Sequence, residues 1–299
     1  MSGYVVVFGG CSWDNTFKQK EDLSYPEFAD IGLPGGKGSN QAVAIARAGY
    51  KVKMISIIGN DKSGKDILKN LQDNNIDTSC VKVSKEAKSD SASLYVSITG
   101  DNNIIRSRES IDEFDIDLIK ENEEVIKNAD FVVTQTKVPR KVIEALIDFC
   151  FKNNVKTVLT PCPAKGYEFC ENSNKELLEK ITYITANADE TKLIMGEEDV
   201  EKSIDRLPNL ISTAGSKGVY FCDEEGFFVN VPAVEPRELK DTTGAGDTFC
   251  GNFIVGLLNG LNKKEAVKRG VWAATLKLEH LGAQPGIPTK KELEERTKF

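Results

Sequence analysis

The stretch "FVVTQTKVPRKVIEALIDFCFKNNVKTVLT", Phe131 to Thr160, decides the fold. Its β-branched opening predicts a strand over 130–135, its middle a helix over 139–153, and its end a second strand over 155–160. A strand, a helix of this length and another strand make one βαβ step. The same rhythm continues on both sides. Strands are predicted at 182–186 and 209–213, with helices near 115–128, 189–195 and 198–206. Upstream lie the strand "YVVVFGG" (4–10), a helix over 39–50, a strand over 51–59 and a helix over 61–75. Downstream, a hairpin at 217–222 and 227–231 precedes helices near 244–259 and 264–279. Such alternation argues for an α/β domain spanning 1–299, with a mostly parallel sheet flanked by helices and ligands held at the carboxyl ends of the strands. Two segments fall outside the rhythm. Residues 14–34 are polar and irregular, and 91–110 reads as a hairpin around the turn "GDNN". Both are expected to form a small flap beside the main sheet.

The 299 residues are 40% hydrophobic and 28% charged, an ordinary globular composition. Their net charge of −7 and the lack of a Lys/Arg stripe speak against a nucleic-acid surface. No apolar run approaches the ~20 residues of a membrane span, and the N-terminus has no basic region ahead of its apolar run. Seven scattered cysteines without a C-x-x-C pair favour free thiols in a reducing cytoplasm. The single histidine, His280, leaves acid–base chemistry to carboxylates, lysine or cysteine.

Two glycine-rich loops invite a phosphate. "GNDKSGKD" (59–66) nearly spells a P-loop, but its last position is Asp66, where a hydroxyl is needed for magnesium and a carboxylate would repel phosphates. "DTTGAGD" (241–247) is different. Its glycines let the N–H groups of Ala245, Gly246 and Asp247 turn toward one point at a helix start, which is an anion site. Asp247 lies in the first turn of an otherwise apolar helix. By itself that carboxylate suits either capping or catalysis.

Further motifs narrow the choice: G-G-K-G-S-N at 35–40, N-A-D-E at 187–190, T-A-G-S-K-G at 213–218 and G-A-Q-P at 282–285. With D-T-T-G-A-G-D-T-F at 241–249, these five ordered motifs resemble the ribokinase-like (phosphofructokinase-B) family of sugar and nucleoside kinases, nearly end to end. The resemblance implies ATP-dependent phosphorylation of the primary hydroxyl of a pentose, D-ribose first, giving ribose 5-phosphate. Another small sugar, a sugar phosphate or a nucleoside is the alternative, and a non-catalytic nucleotide-binding scaffold a remote one.

By the same resemblance Asp247 is the general base, and Gly244, Ala245 and Gly246 form the anion hole. Ser12, Asp14, Gly36, Lys37, Gly38, Ser39, Asn40 and Lys137 line the sugar site. Asn187, Thr213, Ala214, Gly215, Ser216, Lys217 and Gly218, with Gly246, face the nucleotide. Asn187 and Glu190 organise Mg2+ largely through water. Asp241, Thr243, Lys277, His280, Gly282 and Gly286 form a K+ site. The segments 14–34 and 91–110 become a β-strand lid that pairs with its copy in a homodimer. Four positions depart from the ribose-phosphorylating members. Ser12 stands for Asn, Lys137 for Glu, Thr160 opens "TPCP" where N-P-A-P is usual, and Gly286 stands for Ser.

Overall fold

The computed structural model describes residues 3–18, 27–96, 102–162 and 171–297. From the N-terminus, β1 (Val5–Phe8) leads into β2 (Ser12–Lys18) and β3 (Glu27–Gly35), followed by α1 (Lys37–Arg47), β4 (Val52–Gly59), α2 (Lys62–Asp73) and β5 (Asp77–Ser84). Next come β6 (Asp90–Val96), β7 (Asn102–Arg106), α3 (Ile116–Glu121) and α4 (Glu123–Lys127). The predicted βαβ step is β8 (Phe131–Gln135), α5 (Arg140–Lys152) and β9 (Lys156–Thr160). Then follow α6 (Glu171–Glu179), β10 (Tyr183–Asn187), α7 (Ala188–Met195), α8 (Val200–Arg206) and β11 (Leu210–Thr213). The chain closes with β12 (Val219–Cys222), β13 (Phe228–Val231), α9 (Ala245–Leu258), α10 (Lys263–Leu278) and α11 (Lys290–Arg296).

The large sheet has the order β13-β12-β11-β10-β9-β8-β1-β4-β5, parallel from β5 to β11 and antiparallel only at β12 and β13. Residues Val5 to Phe8 show why β1 reads as an unbroken apolar run. Val5 and Val7 pack into the cluster that holds α1 and α9, while Val6 and Phe8 pack into the cluster that holds α5, and all four are fully buried. A strand covered on both faces needs no polar alternation. The chain winds outward from β1 through β4 to β5, then resumes on the other side of β1 at β8. The carboxyl ends of β1 and β8 therefore flank a topological switch point, where α/β sheets open a crevice.

Residues 14–34, irregular by local pattern but part of a β-strand lid by the resemblance, are strands where described: β2 and β3 join β6 and β7 in a separate four-stranded sheet of order β3-β2-β6-β7. Strand β2 is paired on both sides, a long-range term that local sequence pattern does not register. The helix expected near 115–128 breaks at Asn122, whose side-chain amide donates to the Leu118 carbonyl at 2.8 Å and competes with the helical ladder. The P-loop lookalike is an ordinary capped helix start, with Asp61 accepting from the Gly64 N–H at 2.7 Å. No helix among the described residues is long and apolar enough to cross a membrane.

Candidate active site

Two helix N-termini meet at the switch point. The start of α1 sits directly on the end of β1: a Cβ at Gly38 would lie 2.6 Å from the Gly10 carbonyl oxygen, so only glycine permits this approach. The start of α9 is set by Gly244, whose φ of 80° and close approach to the Ala283 carbonyl oxygen exclude a side chain. These two starts bring Asn40 and Gln41 against Asp247. The Asn40 amide donates to Asp247 Oδ2 at 2.9 Å and the Gln41 amide to Oδ1 at 3.1 Å. Asp247 is only 5% exposed. Burial raises its carboxyl above the ordinary range, against the pull of the Lys37 charge and the Asn40 and Gln41 bonds. A carboxylate so placed is held in one orientation and made more basic, the condition of a general base near neutral pH.

Behind Asp247 runs a polar chain that sequence reasoning missed. Gln41 is fully buried, donates also to Thr160 Oγ1 at 3.0 Å, and accepts from Gln135 Nε2 at 2.8 Å. Thr160 Oγ1 pairs with Thr185 Oγ1 at 2.9 Å, so this departure from the family pattern lies one bond removed from Asp247, through Gln41. Gln284, in the G-A-Q-P motif, donates to Asn40 Oδ1 at 3.0 Å and Ser39 Oγ at 3.1 Å. The only sequence signal for Gln41 was its place next to Asn40, in an otherwise apolar helix.

The anion turn differs from expectation in one respect. The Ala245 N–H donates to the Thr242 carbonyl at 3.2 Å and closes the turn. Gly246 and Asp247 supply the helix-start N–H groups ahead of the first helical bonds, and no side chain caps this end. A Cβ at Gly246 would meet no heavy atom within 4 Å, so open space lies beside that backbone.

On the second-sheet side, Ser12 donates to Asp14 Oδ1 at 2.7 Å. Burial raises the Asp14 carboxyl, offset by the Ser12 bond and by the Lys137 and Arg106 charges. Burial likewise raises the Asp90 carboxyl, offset by bonds from Ile111 and Ser110 and by the Lys137 charge. Gly36, at φ 92°, precedes α1 with no room for a side chain against Ser12. Ser39 faces inward: its hydroxyl donates to the Gly35 carbonyl and accepts from Gln284, which anchors the helix start.

Lys37 is turned toward the nucleotide motif. Its ammonium donates to the Pro161 carbonyl at 2.7 Å and to Glu190 Oε1 at 2.8 Å. The other oxygen of Glu190 accepts from the Asn187 N–H at 2.9 Å, and Asn187 Oδ1 accepts from the Glu190 N–H at 2.8 Å, a complete capping box on α7. With both carboxylate oxygens engaged, Glu190 can meet Mg2+ through water, which suits an ion that dehydrates reluctantly. No cluster of three or more His, Cys, Asp or Glu side chains with metal-binding geometry occurs among the described residues. Thr213 ends β11 and Ala214 to Gly218 form the loop after it, closed by the Ala214 N–H on the Gly218 carbonyl at 2.8 Å, with Gly215, Ser216 and Lys217 open to solvent and Gly218 buried.

The groups expected to hold K+ include a charged side chain of the protein itself. The Lys277 ammonium itself donates to the Asp241 carbonyl at 2.8 Å and the His280 carbonyl at 3.3 Å. At Gly286, where a serine ligand is usual, an added Cβ would lie 2.5 Å from His280 Cβ and 3.0 Å from the Lys277 carbonyl oxygen. Asp241 Oδ1 accepts from the Thr243 N–H at 2.9 Å and Oδ2 from the Gly282 N–H at 2.8 Å. Within this group, then, the chain's own ammonium already engages the Asp241 and His280 carbonyls.

Residues 3–290 match the model of the pfkB family of carbohydrate kinases. The chain is similar to the ribokinase of Bacillus subtilis, 31% identical over 97% of this chain and 98% of that one, and to the ribokinase of Lactococcus lactis, 33% identical over 89% and 86%. In structure it is similar to the ribokinase of Thermotoga maritima, with a TM-score of 0.86 and 28% identity over 99% of both chains. It also shares its fold with the Arabidopsis thaliana ribokinase solved with ribose and ATP, with a TM-score of 0.87 and 22% identity over 100% of both. With nearly every residue of the chain matched, the protein belongs to the pfkB family of carbohydrate kinases.

Proposed function

We propose that this kinase transfers the γ-phosphoryl group of ATP to the primary hydroxyl of D-ribose, giving ADP and D-ribose 5-phosphate. The observation that carries the reading is the buried Asp247 carboxylate, fixed by Asn40 and Gln41 beside a glycine-built helix start. Similarity to relatives named ribokinases supports ribose as the acceptor. Asp247 takes the proton of the hydroxyl as its oxygen bonds to the γ-phosphorus, and the bond to the ADP oxygen breaks. The N–H groups of Gly246 and Asp247 stand where charge builds on the transferred group. Asp14, Asn40 and the backbone of Gly36 and Gly38 receive the sugar hydroxyls. The loop Thr213–Gly218 receives the nucleotide. Asn187 and Glu190 would hold Mg2+ through water, and the ion would supply charge neutralisation on the phosphates.

The second sheet serves as a lid that excludes water, and its edge strand β7, with Ile105 59% exposed, pairs the lids of a homodimer. A reducing cytoplasm suits the free thiols of Cys11, Cys80, Cys150, Cys162, Cys222 and Cys250. A second reading, a sugar carrying an anionic group, is favoured by one feature, the lysine at position 137 where the ribose-phosphorylating members carry Glu. The test is ADP production from MgATP with D-ribose, with D-ribose 1-phosphate, which keeps its primary hydroxyl free, and with no sugar, in the wild type and in Asp247→Asn. Ribose-dependent turnover that falls ~10²-fold or more in a folded Asp247→Asn supports the reading. Near-normal turnover in the variant ends it, and preference for the phosphorylated sugar transfers it to the second acceptor.

A further inference from the structure

Lys277 lies in the last turn of α10, a position from which a lysine ordinarily runs out to solvent. Here its side chain is 0% exposed. The ammonium donates to the carbonyl oxygens of Asp241 and His280, and Asp241 Oδ2 lies 3.8 Å away. A compact cation is thus ringed by two backbone carbonyls and a carboxylate, an arrangement of hard oxygens that suits a monovalent ion. The oxygens come from two segments. Asp241 opens the turn that ends at Gly244 and launches α9, and its side chain holds the Thr243 and Gly282 N–H groups. His280 belongs to the loop that carries Ala283, against which Gly244 is packed. The ammonium therefore ties the turn to the loop immediately behind the helix start that holds Asp247.

We propose that Lys277 is a tethered monovalent cation that braces the turn before α9, and that it makes this kinase independent of potassium. Removing the charge would leave two inward carbonyls and a carboxylate facing each other without a counter-charge, and the space vacated by the ammonium would then accept a free ion. A side chain at position 286 gains nothing in such a site, consistent with the lack of room for one at Gly286.

The kinetic part of the test rests on the ribose reading above, so a second readout is run that does not. Wild type and Lys277→Met are assayed for ribose-dependent ADP formation and for Tm, with KCl replacing choline chloride at constant ionic strength. The wild type is expected to change within about 2-fold in kcat/KM across the series and to keep its Tm. Lys277→Met is expected to lose about 10-fold or more in choline and about 4 °C or more in Tm, and to regain both saturably with KCl. A saturable rise of about 5-fold or more in the wild type, or a wild-type Tm that climbs with KCl but not with LiCl, would overturn the proposal. So would a folded Lys277→Met indifferent to potassium. If no salt gives ribose turnover, the ribose reading fails while the Tm series still decides the cation. If Lys277→Met does not fold in either salt, the wild-type series decides alone, a flat response supporting the tethered cation and a saturable one refuting it.

Discussion

Replacing Gln41 by leucine tests whether the buried chain behind Asp247 tunes the base or merely fills space. The substitution keeps the volume and removes three bonds: those to Asp247 Oδ1 at 3.1 Å, to Thr160 Oγ1 at 3.0 Å, and from Gln135 Nε2 at 2.8 Å. A hydrogen bond to a charged group contributes about 1.5–3 kcal/mol. Because one Gln41 amide serves both Asp247 and Thr160, the lower end applies. About 1.5 kcal/mol withdrawn from the ionised carboxylate raises its pKa by roughly one unit, adding to the upward shift that burial already imposes. The base works ionised, so the acidic limb of the kcat/KM profile should move toward higher pH by about one unit. Activity below the limb then falls ~10-fold while the high-pH plateau is kept. Stability falls too. Gln135 would lose its acceptor when its own Oε1 already lacks a partner, a cost of about 1–3 kcal/mol. The control is Gln135→Leu, which disturbs the same chain without touching Asp247. Its limb should stay in place. A Gln41→Leu profile with an unmoved limb and a lowered plateau would refute the tuning role and leave only a packing one.

Three further outcomes follow from the geometry. Gly246→Ala should fold normally, since its Cβ meets nothing within 4 Å. If that space holds the transferred phosphoryl group, kcat/KM for MgATP should still fall about 10-fold; unchanged kinetics would move the phosphate elsewhere. Lys37→Met strands Glu190, whose side chain is 4% exposed, and should destabilise by about 3 kcal/mol. In a double-mutant cycle with Glu190→Gln the coupling should be roughly 1–3 kcal/mol, and additivity would show that the pair is not an energetic unit. Gly38→Ala puts a methyl 2.6 Å from the Gly10 carbonyl oxygen and should lower Tm by several degrees, about 1–3 kcal/mol of overpacking. A wild-type Tm would mean that α1 can slide away from β1.

The main sheet was legible because its strands are buried on both faces and separated by helices with periodic apolar positions. What escaped was structure specified at long range. Strand β2 carries Asp14 and Asn15 and offers no apolar alternation; it is a strand because β3 and β6 flank it. Strand β5, mostly half-exposed at the sheet edge, was missed for the same reason. Helix α11 had a readable start, since Thr289 and Glu292 form a capping box, but only two helical turns to support it. The site divides similarly. Asp247, Asn40 and Glu190 stood out by motif, and the glycines that place them could be named. Gln41 and Gln135 could not, because a buried amide looks like a surface one until its partners are known. Lys277 was read as one member of a K+ site, and the course of its flexible four-carbon side chain is written in no local pattern.

Asn40 and Asp247 touch although they are 207 positions apart in the chain. On a ribosome adding roughly 5–20 residues per second, the base emerges about 10–40 s after its partner. For that interval α1 and β1 exist without α9 and α10, and the half of the core built from Phe249, Phe253 and Val267 is still to be made. A nascent chain of this kinase thus passes through a long stage as a parallel sheet with one face short of α9 and α10 and without Asp247. Its demand for chaperone shelter is set by the last fifth of its gene.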